Sequence, residues 1–236
     1  LYTQMFRIYT KTPPELVSQA LQTVLLERAI EHLDPDRLGM CLTFAMCVPP
    51  APGQKVRSLR QVNGIGTLPW ERNLERKTIF LGTESLAGNA VMAAEMIYAE
   101  SRESNPPCPI QWTVHEHSAV AMPVLHQGKI AGVLLASSTR PYYFTPVYKR
   151  LLELYAHLAI LIFPPGEFYK LKEVQLGRLP DYELQKPYFS HFEQRIVRKQ
   201  GEAMATDGYL SMQQVRQDAW CEIADKLLEM ELEDTL

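Results

Sequence analysis

Three groups of residues in this chain combine the right types with a suggestive spacing. His115 and His117 stand two apart in "WTVHEHS". On an extended strand both imidazoles would share one face and Glu116 the other. Two imidazoles are half of a tetrahedral zinc site, which needs a third and fourth ligand, so the pair reads as a solvated or pocket-wall pair and no metal is expected. Cys41 and Cys47, six apart, share a strand face in the same way. No cation stands near them in sequence to lower a thiol pKa, so they read as small apolar side chains. Ser137, Ser138, His126 and Glu153 are the types of a nucleophile, a base and an orienting acid. Neither serine stands in a GxSxG elbow and no spacing forces the set together. A Walker A loop and an HExxH motif are also missing. No catalytic residue is assigned, and the chain is not expected to be an enzyme.

The chain that positions these groups has 236 residues, 46% hydrophobic and 22% charged, a globular composition. A net charge of -3 disfavours direct nucleic-acid binding through this segment. The most apolar run, "LAILIF" at 158–163, is too short to cross a membrane, so no membrane insertion is expected. Cys41, Cys47, Cys108 and Cys221 form no CxxC pair and read as reduced thiols of a cytoplasmic protein. With Leu1 first and no signal peptide, the chain reads as part of a longer protein whose output lies elsewhere.

Periodicity predicts a helix over 13–33, opened by a Thr12/Glu15 capping box and stopped at Asp34-Pro35. A core strand follows at 39–48, an outer or irregular strand at 55–63, a turn and loop at "NGIGTLPWE", and a short strand in "RKTIFL". A helix is predicted over 84–100, ended by "NPPCP". "IQWTVHEHSAVAMPVL" holds two extended pieces. The second pairs through the "HQGK" turn with "IAGVLLASS", a hairpin that argues for an antiparallel sheet. Thr145-Pro146 opens a helix to 163. Residues 166–236 change texture and end in a helix opened by Ser211 and Gln214, with Val215, Ala219, Ile223 and Leu227 on one face. The class is α+β, a central antiparallel sheet with helices packed on it, divided as 1–165 and a mostly helical extension, 166–236.

"GTESLAGNAVMAAEMIYAES", "SAVAMPVLHQGKIAGVLLASS" and "PYYFTPVYKRLLELYAHLAILI" together resemble the second half of a GAF domain. The matching pieces are Ala121–Leu125, Gln127–Lys129, Gly132–Leu135 and Phe144–Thr145, and the helix and strand before them fit the first half in order. The resemblance covers roughly 13–163. It implies a sheet of five or six strands, terminal helices on one side that often dimerise, and a pocket, where there is one, on the other side. The cyclic-nucleotide motif of some members is missing, and no cysteine has the adjacent histidine that bilin attachment uses, so no cofactor is specified.

On that resemblance, Trp70, Trp112, Tyr142 and Tyr143 are candidate ligand-binding residues expected to approach one cleft, and His115 and His117 are candidates beside them. The chain is expected to be a small-molecule-sensing or regulatory domain of a signalling or transcription-regulating protein, acting by ligand- or partner-dependent rearrangement of a dimer. The alternative is a non-catalytic interaction or dimerisation module with a filled pocket. A homodimer is expected because Leu151, Leu152, Leu154, Leu158, Ile160, Leu161 and Ile162 cannot all face one sheet at about 100° per residue. The last helix, packed along that helical side, is the covering that competes with a second subunit.

Overall fold

The computed structural model describes residues 1–74, 78–103, 111–190, 192–205 and 212–233. Two helices open the chain, α1 (Tyr2–Lys11) and α2 (Pro14–Leu33). Periodicity marks only the second. Thr12 ends α1 instead of capping α2, which starts from Pro13 with no side-chain cap bond. The buried Asp34 carboxylate holds the exit of α2, accepting from the Leu38 amide at 2.7 Å and the Thr67 hydroxyl at 2.6 Å.

The strands are β1 (Met40–Cys47), β2 (Leu59–Gly66), β3 (Phe80–Leu81), β4 (Ile97–Ala99), β5 (Ser118–His126), β6 (Lys129–Ser138) and β7 (Tyr169–Lys170). They lie in the order β3-β2-β1-β6-β5-β4, with β7 beside β6 and every pairing antiparallel. β2 begins later than expected and absorbs "NGIG". Gly64 and Gly66 belong to the ladder, where added Cβ atoms would collide with Thr43 and Trp70. The helix expected over 84–100 is only α3 (Leu86–Ala93). Ser85 caps it, and Ala94, in the left-handed region, stops it and frees Ile97–Ala99 to pair with β5. Gln127 and Gly128 both have positive φ, the geometry of a two-residue turn that suits the twist of the β5–β6 hairpin.

Alternation along the central strands builds two cores. Met40, Leu42 and Phe44 of β1 face α1, α2 and α4 (Pro146–Ala159), which starts from the Thr145 cap as predicted. Ala45 and Cys47 face α3. Ala131 is an extra residue in β6, between the Val124–Gly132 and Leu125–Ile130 pairs, and the bulge switches the side that following residues face.

Residues after 165 return to the sheet. β7 adds to β6, and the Gln175 and Gly177 amides donate to Val56 and Arg57 carbonyls. Three helices follow, α5 (Tyr182–Phe189), α6 (Phe192–Ala205) and α7 (Met212–Glu233). Val215, Ala219, Ile223 and Leu227 form the expected buried seam of α7. It packs with Val48 and Phe80 at the β3 edge, not along the helical side, so α7 does not cover the faces of α1 and α4. Gln185 of α5, 1% exposed, completes that edge. Its side-chain oxygen accepts from the Phe80 amide at 2.8 Å, and its side-chain nitrogen donates to the Phe80 carbonyl at 3.0 Å. One side chain thus makes both bonds of a missing strand neighbour. The expectations resting on "NPPCP", Cys108 and Ser211 fall outside the described residues.

Candidate functional site

The segment 111–117 is a turn, not a strand. The Glu116 carboxylate accepts from the Thr113 amide at 2.7 Å and from the Ser137 hydroxyl at 2.6 Å. Arg102 donates from below to the carbonyls of Thr113, Val114 and Glu116. These bonds consume the backbone groups a strand would pair, and β5 starts only at Ser118. His115 and His117 therefore do not share a strand face, and both are exposed. Among the described residues no group of three or more His, Cys, Asp or Glu is placed to hold a metal ion.

The turn collects half of the aromatic candidates. Trp70 packs against Gly66, and its ring meets His115 edge-on at 6.0 Å. Trp112 packs against the α3-side core with the Arg102 guanidinium 5.9 Å from its ring. Ser137 lies beside Cys41 in the β1–β6 ladder. Trp70, Trp112 and His115 thus gather at one end of the sheet around the Glu116–Ser137 bond. The tyrosines go elsewhere. Tyr142, at positive φ, is 67% exposed. Tyr143 belongs to the opposite core, stacked on Tyr148, and its hydroxyl donates to the Leu33 carbonyl at 2.7 Å. Burial raises its pKa.

Beneath α3 the sheet is occupied by the chain itself. Ala45, Leu59, Ala90, Val91, Ala121 and Val133 are all 0% exposed. Gly88 lets α3 approach so closely that an added Cβ would fall 1.8 Å from the Gly82 carbonyl oxygen. Burial pushes the Cys47 thiol up to about 12, so at neutral pH it is protonated and a poor nucleophile.

Sequence reasoning missed Arg102, Glu116 and Ser137 as a bonded set, and Arg60, whose guanidinium lies 4.6 Å from the ring centre of Trp220 on α7. A charged residue between two histidines was the only local sign of the first. Nothing local marks Arg60, because its partner is 160 residues away.

The family model of the GAF domain matches residues 15–162. No curated protein matches the chain. Among solved structures, a type II free methionine-R-sulfoxide reductase from Thermoplasma acidophilum is 15% identical, with a TM-score of 0.46, over 65% of this chain and 98% of that one. A free methionine-R-sulfoxide reductase from Neisseria meningitidis, in complex with its substrate, is 14% identical, with a TM-score of 0.46, over 69% and 84%. The GAF domain of an Acinetobacter phosphoenolpyruvate-protein phosphotransferase is 16% identical, with a TM-score of 0.45, over 68% and 89%.

Proposed function

Since this chain belongs to the GAF domain family, we propose that it is a non-catalytic regulatory module of a signalling protein, acting through a second copy of itself. GAF domains are sensory and regulatory modules, and the α3 side of the sheet is where a member with a pocket would hold its ligand. The observation that carries the reading is the complete burial of the six side chains on that side. The partner surface is the helical layer. Tyr2, Phe6 and Tyr9 recur at i, i+4 and i+7 on α1 and are 65%, 65% and 60% exposed, and Val147 and Leu154 of α4 are exposed too. A twofold pairing would use this one patch twice. Native mass spectrometry of the purified chain tests the filled side. The polypeptide mass alone is expected, and a small molecule retained by the wild type but lost from Trp112→Ala would overturn it.

A second reading, a small-molecule sensor, has its own support in the half-buried Trp70 and Trp112 beside the Glu116–Ser137 bond. A ligand there would compete for Glu116 and loosen the turn that Arg102 holds.

A further inference from the structure

A cleft of roughly 530 Å³ separates the Pro-rich β1–β2 loop from α7. It lies away from the α3 side and uses helices beyond the family match, so its fate does not decide the reading above. One wall is basic, with Lys55 and Arg57 from the loop and Lys199 from α6. The other is acidic. Asp218, Glu222 and Asp225 line one face of α7 over eight residues, about 10 Å of helix. Val48, Ala224 and Leu228, nearly fully buried, give the cleft an apolar lining.

The walls neutralise one another only in part. Lys199 pairs with Glu222, and Lys55 donates to the Gln175 side-chain oxygen at 3.0 Å. That leaves Asp218, Asp225 and Arg57, none of which forms an ion pair among the described residues. The two sides are tied at one point: the Cys221 thiol of α7 donates to the Pro49 carbonyl at 3.2 Å. Burial first, then the charges of Asp218 and Asp225, push that thiol up to about 11, so it stays protonated and available as the donor.

A ligand of single charge would meet one repelling wall, whereas a dipolar one satisfies both. The volume lies in the range of small-molecule sites, about 300–1,000 Å³. We propose that this cleft binds a small zwitterion, a free α-amino acid or a short peptide with free ends, its ammonium on the acidic face at Asp218 or Asp225 and its carboxylate on Arg57.

Thermal shift with each common L-amino acid, with glycylglycine and with L-leucyl-L-leucine separates the two sources. At least one probe is expected to raise Tm by about 5 °C or more at a hundredfold excess over Kd. Its N-acetylated, amidated counterpart should not. Arg57→Gln and the double variant Asp218→Asn, Asp225→Asn should each keep the unliganded Tm and weaken binding about tenfold or more. No shift with any probe overturns the proposal, as does an equal shift from the blocked counterpart. A shift undiminished in both variants also overturns it, and puts the binding elsewhere on the molecule.

Discussion

Gly132 sits in β6 between Met46 of β1 and Val124 of β5, next to the bulge at Ala131. Gly132→Ala adds one carbon, which would stand 2.2 Å from the Ala45 carbonyl oxygen and 3.0 Å from the Met46 Cα. Both obstacles are backbone, so no rotamer change removes them. A comfortable carbon–oxygen contact is about 3.3 Å or more. The two central strands must therefore part by about 1 Å where they are paired, which lengthens ladder bonds in the middle of the sheet. Overpacking of a tight core costs about 1–3 kcal/mol. A backbone obstacle puts this case at the upper end, and the chain entropy lost with glycine returns about 0.5–1 kcal/mol. The expected net cost is about 2 kcal/mol for alanine, and more for valine. Urea denaturation of wild type and variant measures it, as a lower midpoint at unchanged slope. Gly166→Ala is the control, because nothing lies within 4 Å of its added carbon, and it should stay within about 0.5 kcal/mol of wild type. A Gly132→Ala midpoint equal to that of the control would refute the close approach of the strands.

Gln185→Leu keeps the volume but leaves the Phe80 amide and carbonyl unpaired in a buried place, and should cost about 2–4 kcal/mol in the same assay. Glu167 is raised above the usual carboxylate range by burial, against the pull of Arg60. A folded pKa above the unfolded one means that folding favours the protonated acid, so stability falls as pH rises through that window. Glu167→Gln should therefore melt higher than wild type at pH 7, with the gain shrinking as pH falls from the raised folded value and gone below the unfolded value of about 4.3; a gain that grows on acidification would show the sign to be wrong.

Where local rules and tertiary packing agreed, the elements were readable. The β5–β6 hairpin has alternating strands and a Gln-Gly turn, and α4 has a threonine cap followed by proline, so each carried its own punctuation. "NGIG" misled because glycine marks turns and close strand contacts alike, and only the neighbours Thr43 and Trp70 decide which. Ile97–Ala99 continued an apolar periodicity until Ala94 took a left-handed conformation that no residue type announces. In the candidate site, Trp70, Trp112 and His115 do gather, yet Tyr143 falls on the other side of the sheet. Assigning faces requires strand limits and bulge positions, and both depend on which strands are neighbours. Gln185 and Arg60 are polar residues whose meaning comes wholly from distant partners.

The most direct test of the account is sedimentation equilibrium of the purified chain at micromolar concentration, beside the double variant Phe6→Glu, Tyr9→Glu. Both replaced residues are exposed, so the variant should fold. The wild type is expected as a species of twice 27.0 kDa and the variant as one of 27.0 kDa. A wild type that stays at 27.0 kDa across the whole concentration range would contradict the claim that this module acts through a second copy of itself.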